Sequence, residues 1–174
     1  MSAMTAKLPM TRSAQSSFQV RLLAAGEVRL ALPVAQLLYP ALTEESWIAY
    51  TSGSQGSEVF SPRRVLGAFN PGGYLHGLCT LSDGFDLRSG RTLIVDDLIV
   101  ADFLDTRSVI HALLVGIEEL ARKESYRGIR VSLADGNLLH QQAVVDALNS
   151  NGNLRTSACY CKPLAQPSRP IAGA

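Results

Sequence analysis

The sequence has no apolar run near the roughly 18 residues that a membrane span needs, and its opening stretch MSAMTAKLPMTRSAQSS carries no apolar core of a secretory signal. Neither a membrane partner nor export is therefore expected. Charge of one sign is equally scarce: 16 Lys and Arg against 15 Asp and Glu leave a net +1. Nucleic acid and anionic surfaces need clustered cations. The pairs Arg63-Arg64 and Arg88/Arg91 read only as strand-edge or turn residues, so no nucleic-acid partner is expected. Cysteine numbers three, at Cys79, Cys159 and Cys161. No second pair completes a zinc site with Cys159 and Cys161, so reduced thiols, no metal and a cytoplasmic location are the expectation. Internal repeats and low-complexity blocks are missing as well.

What is present is a chain with 47% hydrophobic and 18% charged residues, enough to bury a single core. The domain is expected over 18–163, between tails at 1–17 and 164–174. FQVRLLA has strand character. EVRLALPVAQLLYPAL places Val28, Leu32, Ala35, Leu38 and Leu42 near a helical period, with Pro33 and Pro40 limiting its extent. Thr43 before Glu44-Glu45 is a helix start, because an acceptor side chain and acidic residues suit the exposed N–H groups. RRVLGAFN and GYLHGLCTLS are strands joined through Asn70-Pro71-Gly72-Gly73, a hairpin signal. SDGFDLRSG reads as a loop. RTLIVDDLIV then reads as a central strand covered on both faces.

The next segment, ADFLDTRSVIHALLVGIEELARK, holds the clearest helix. Val109, Leu113, Gly116, Ile117, Leu120 and Ala121 make one apolar stripe, with Glu118/Arg122 and Glu119/Lys123 as i,i+4 pairs on the wet side. Between strand and helix lies Asp105-Thr106-Arg107-Ser108-Val109-Ile110, where a phosphate-binding turn would carry glycines. It has none. RGIRVSL follows as a strand, Asp135-Gly136-Asn137 as a break, LLHQQAVVDAL as a helix, and LRTSACYCK as a last strand. The order β-α-α-β-β-β-α-β-α-β describes an α/β (α+β) fold with a mixed sheet flanked by helices.

That order resembles the GNAT superfamily of N-acetyltransferases over roughly Phe18 to Tyr160, counted on pattern. The local likeness is carried by the strand DDLIV, by Ala112-Leu113-Leu114 and Glu118-Glu119-Leu120-Ala121-Arg122 on the helix, and by the strand IRVSL. The resemblance implies a mostly antiparallel sheet whose fourth and fifth strands splay apart into a cleft for acetyl-CoA, the cosubstrate. Its pyrophosphate would sit on backbone N–H groups at the start of the following helix, where unpaired donors and a positive dipole end attract an anion. The signature Arg/Gln-x-x-Gly-x-Gly/Ala fits in two registers. One puts its fixed positions on Asp105, Ser108 and Ile110; the other runs Arg107-Ser108-Val109-Ile110-His111-Ala112. In both, a bulky residue stands where the family has Gly, while Thr106, Arg107 and Ser108 offer side-chain donors in exchange. Asn137 matches the Asn that often opens the late helix in this family.

The same resemblance implies the chemistry. A backbone N–H of the strand Leu98-Ile99-Val100, at Ile99 or Val100, would polarise a thioester carbonyl, and Asp96 or Asp97 would serve as base. One of two adjacent strand residues is expected to face the core side of the sheet, where burial would raise a carboxyl pKa. The family's thiol-protonating tyrosine would fall on Leu148, four residues before Gly152, so Tyr160 on the last strand is its substitute. Tyr39, Trp47 and Tyr50 are expected either to wall the acceptor site or to pack the short helices. His140 opens the late helix and reads either as solvent-facing or as a substitute acid or base. His76 lies mid-strand beside Gly77 as a candidate to face the cleft, and His111 sits in the first turn of the signature helix. Cys79 has no His or acid fixed next to it by spacing, so a nucleophilic role is not expected. The function so implied is acyl-CoA-dependent N-acetyl transfer to a small-molecule or protein amine. The alternative is a non-catalytic module of the same fold that binds a partner or metabolite. The apolar last strand also allows a homodimer through its edge.

Overall fold

A computed structural model of the chain describes residues 18–55, 58–59, 61–102, 104–133 and 138–152. A sheet of five strands runs in the order β1 (Gln19–Leu22), β4 (Arg64–Phe69), β5 (Leu75–Asp86), β6 (Gly90–Val100) and β7 (Gly128–Val131). Every pairing is antiparallel except β6 with β7. A two-residue pair, β2 (Ser54–Gln55) with β3 (Glu58–Val59), stands apart from it. The remaining elements are a 3-10 turn at Val28–Ala31, α1 (Leu32–Ala35), α2 (Glu44–Ser52), α3 (Thr106–Lys123) and α4 (Leu138–Ser150).

Local chemistry accounts for most of these boundaries. Pro33 occupies the first turn of α1, where its missing N–H costs nothing. Thr43 caps α2 by accepting the Ser46 N–H at 3.2 Å, and Gly53 ends the helix at φ 72°. The β4–β5 hairpin turns at Asn70-Pro71-Gly72-Gly73, with Gly73 at φ 80° and donating to Asn70 O at 2.9 Å. The expected loop SDGFDLRSG is shorter than its polar composition suggested. Ser82–Asp86 continue β5 and pair with Gly90–Ile94, so only three residues turn. The sheet's edge ladder satisfies the backbone there and overrides local propensity.

Two apolar clusters sandwich the sheet. On one face Leu81, Leu93, Val95, Val109, Ile110, Leu113 and Ile117 are almost completely buried beneath α3 and α4. Each such side chain contributes about 1.5–3 kcal/mol of transfer free energy. On the other face Trp47, Val65, Leu78 and Ile99 pack with α1 and α2. Of the two expected i,i+4 pairs on α3, Glu118–Arg122 closes at 2.7 Å. The expected last strand, with Cys159, Tyr160 and Cys161, lies outside the described residues, as does the Asp135-Gly136-Asn137 break.

The parallel ladder between β6 and β7 covers only Thr92–Val95, extended by Ser132 N–H to Val95 O at 2.8 Å. Beyond it, β6 remains paired to β5 through Ile99 and Val100, while its other edge has no ladder partner among the described residues. The two strands part there, and α3 begins just beyond the end of β6.

Candidate functional site

The parting of the strands coincides with a β-bulge. On β6, Asp97 and Leu98 stand opposite the single residue Cys79, because Asp96 pairs with Thr80 and Ile99 with Leu78. Asp97 adopts φ 52°, the left-handed conformation in which Asp is among the tolerated non-glycine residues. The extra residue resets the alternation of side chains. Leu93 and Val95 before it, and Leu98 and Val100 after it, all join the cluster under α3. Asp96 and Asp97 are both left on the α1/α2 face. This corrects the expectation that adjacent strand residues must divide between the faces.

The two carboxylates there have different partners. Asp96 pairs with Arg63 at 2.9 Å. Asp97 accepts the Tyr39 hydroxyl at 2.6 Å on Oδ1, and the Tyr50 and Thr80 hydroxyls at 2.6 and 2.9 Å on Oδ2. Arg63 joins the two halves by donating to Tyr50 Oη at 2.8 Å and lying over its ring. Burial, and then the Asp97 carboxylate, raise both phenols above the ordinary tyrosine range, Tyr50 to about 12. Both therefore stay protonated donors at neutral pH. Tyr39 is 40% exposed and stands between Asp97 and solvent.

Other expectations divide. Trp47 is core: 3% exposed, it donates its indole N–H to Val28 O at 2.8 Å. Cys79 is fully buried, and burial pushes its thiol far up, so it is no nucleophile. Leu148, at the family's tyrosine position, packs against the main core. Tyr160 and Asn137 lie outside the described residues.

At the open edge, Ala101 N–H bonds to His76 O on β5 at 2.8 Å. Backbone groups alternate between edges along a strand, so the Val100 N–H points to the unpaired side. Of Ile99 and Val100, it is Val100 whose N–H faces the open edge, with no partner there among the described residues.

Helix α3 then starts at Thr106, with Asp105 at the cap position making no side-chain capping bond. The N–H groups of Thr106, Arg107 and Ser108 are the orphans of any helix start. They have no partner among the described residues. Val109 differs, since its N–H goes to Asp105 O at 3.2 Å, and the Ile110 N–H is committed to the helix ladder. The side chains of Val109 and Ile110 are 0% exposed; both turn into the core and neither fills the turn. Arg107 and His111 are exposed on the helix surface, and Arg107 makes no ion pair among the described residues.

Arg63 and Thr80 were passed over in the sequence, the first as an edge cation and the second as one strand residue among many. Alternation along β6 already leaves Asp96 on the face of Arg63, but only the bulge brings Asp97 to Thr80.

At the level of sequence, no protein-family model and no curated protein matches this chain. Solved structures do. A crystal structure of a probable acetyltransferase superposes with TM-score 0.63 at 20% identity, over 86% of this chain and 99% of its own. The aminoglycoside N-acetyltransferase AAC(6')-Iy in complex with CoA gives TM-score 0.64 at 12% identity, over 90% and 99%. The ribosomal-protein-alanine N-acetyltransferase from Brucella melitensis biovar Abortus 2308 gives 0.61 at 14% identity, over 86% and 98%. The chain has the GNAT fold. Its described elements follow that fold's order, with β6 and β7 as the splayed pair and α3 as the helix that begins at the cleft. No described helix is long and apolar enough to cross a membrane.

Proposed function

We propose that this GNAT-fold protein is an acyl-CoA-dependent N-acetyltransferase acting on a small-molecule or protein amine in the cytoplasm. The observation that carries the reading is the juxtaposition of one strand donor, Val100 N–H, with three helix donors at Thr106, Arg107 and Ser108, none of which has a partner among the described residues. A thioester carbonyl and a pyrophosphate need donors of those two kinds. A structural neighbour of the same fold was solved with CoA. Arg107 adds a cation at the helix start that makes no ion pair among the described residues. When bound, acetyl-CoA supplies the activated acyl group.

The chain's own groups supply the rest. The acceptor approaches from the α1/α2 side of β6, where Tyr39 and Asp97 lie. The Tyr39 hydroxyl donates to Asp97 Oδ1 and has a lone pair left for an amine proton. Because its phenol pKa is raised, it passes a proton onward and does not itself become a lasting anion. Asp97 is the final acceptor in this reading. Arg63, held by Asp96, sets the position of Tyr50. The Val100 N–H stabilises charge on the carbonyl oxygen as the amine adds.

Calorimetry with acetyl-CoA tests this. Micromolar binding that weakens in Arg107→Ala and in Ser108→Trp is expected. No binding at millimolar cosubstrate would overturn it and favour the non-catalytic module. That second reading draws on Leu148 packed where the family's thiol-protonating tyrosine would stand, and on an Asp97 whose oxygens are both already engaged.

A further inference from the structure

His76, the second residue of β5, is left unused by the acyl-transfer reading. It grips the end of β6 twice. Its carbonyl accepts the Ala101 N–H at 2.8 Å, and its Nδ1–H donates to Asp102 Oδ2 at 2.9 Å. Both side chains are mostly buried, 27% and 15% exposed, and the Phe18 ring lies 5.4 Å from the imidazole centre. The other Asp102 oxygen, Oδ1, accepts the Leu104 and Asp105 N–H groups at 2.8 and 3.0 Å. The Asp102 carbonyl takes the Thr106 hydroxyl at 2.6 Å. One residue therefore shapes the whole passage from strand to helix. The amides of Asp105 and Leu104, with His76 beside them, hold its carboxyl below the usual carboxylate range.

The consequence lies at the helix start. A glycine-rich turn reaches its shape through backbone freedom. This turn has no glycine between Val100 and Val115, and the Asp102 bonds set its path. Those bonds occupy Leu104 and Asp105 and leave the N–H groups of Thr106, Arg107 and Ser108 without a partner among the described residues. We propose that His76 is a positioning residue for the phosphate cradle of the acyl donor, fixing the Asp102 carboxylate so that the first turn of α3 keeps its donors aimed at the cleft. The inference rests on the acyl-CoA reading, and it adds a residue on a neighbouring strand.

The test compares His76→Leu, which removes the donor, with His76→Asn, whose amide nitrogen stands near the place of Nδ1. Each is titrated with CoA and, separately, with S-acetylpantetheine, which lacks the pyrophosphate. Loss of a charge-assisted hydrogen bond at a mostly buried pair should weaken CoA binding of His76→Leu about five- to tenfold. His76→Asn should recover to within about twofold of wild type by restoring that bond. Binding of S-acetylpantetheine should be the same in all three proteins, which general loosening of the fold would not allow. Hydrogen exchange at Leu104 and Asp105 should quicken in His76→Leu alone. Equal CoA affinity in wild type and His76→Leu would overturn the proposal and leave the acyl-CoA reading standing. Equal loss of both ligands would overturn it too, by assigning His76 to general stability. Absence of CoA binding in wild type would remove both.

Discussion

The Tyr50 hydroxyl lies 2.6 Å from Asp97 Oδ2, and through that bond helix α2 is joined to the bulge in β6. The same oxygen of Tyr50 meets Thr80 Oγ1 at 3.3 Å and Arg63 Nη1 at 2.8 Å. Three side chains, from β5, β6 and the segment before β4, thus share one phenol of α2. Tyr50→Phe keeps the ring beneath Arg63 but withdraws the hydroxyl from all of them. The expected cost is about 1–2 kcal/mol, the usual range when buried partners are left short of one bond. Urea unfolding with an unchanged m-value reads it. A variant as stable as wild type would show that solvent already satisfies these groups.

Asp97 combines a left-handed backbone with three accepted hydroxyls, and substitutions separate the two demands. Asn tolerates that backbone and keeps one acceptor oxygen. Ala tolerates it poorly and accepts nothing. Asp97→Asn should therefore be more stable than Asp97→Ala by about 1–2 kcal/mol. In the proposed reaction both should lose turnover, since neither side chain takes a proton. Asp97→Asn with wild-type turnover would remove Asp97 from the chemistry and keep its structural part.

Alkali should loosen the same cluster. The Tyr50 phenol has a folded pKa of about 12 against an ordinary 10. The unfolded chain therefore gives up that proton first. The stability it contributes is complete below pH 10 and is lost as the pH rises toward 12. Tyr39 and Tyr126 are shifted in the same direction, each by burial first and a carboxylate second, and they add to the effect. Melting temperature should fall through this window in the wild type and less steeply in Tyr50→Phe. Parallel curves would place the alkaline loss elsewhere.

The sequence made the elements legible wherever periodicity was strong. The α3 stripe, the Thr43 cap and the Asn70–Gly73 turn all stand where local physics put them. Their signals lie within a few residues of the atoms they control. The site was less legible because it depends on one inserted residue. Strict alternation would send Asp97 to the α3 face with Val95, and nothing in RTLIVDDLIV announces the bulge that turns it the other way. Thr80 acquires Asp97, 17 residues away, only through that turn, and Arg63 meets Asp96, 33 residues away, only through the tertiary fold. Likewise, the absence of glycine from the strand-to-helix turn was plain, but the Asp102 bonds that take over its shaping depend on His76, 26 residues earlier.

Gly77 tests how closely the cleft floor and the start of α3 are joined. It pairs with Val100 on β6, and a Cβ there would stand 2.7 Å from Val109 Cγ1, 3.0 Å from Ile99 O and 3.3 Å from Leu113 Cδ1. Val109 can retreat only by moving the first turn of α3, and the Ile99 carbonyl is fixed in its strand. Gly77→Ala should therefore destabilise the fold by about 1–3 kcal/mol, as overpacking does. In the proposed reading it should also weaken CoA binding, because the displaced turn carries the N–H groups of Thr106, Arg107 and Ser108. Adding Val109→Ala should relieve the side-chain clash and restore part of the affinity, while the contact with the Ile99 carbonyl remains. Denaturant unfolding and calorimetry on the three variants measure both effects. If Gly77→Ala loses stability yet binds CoA as tightly as wild type, the first turn of α3 does not hold the ligand.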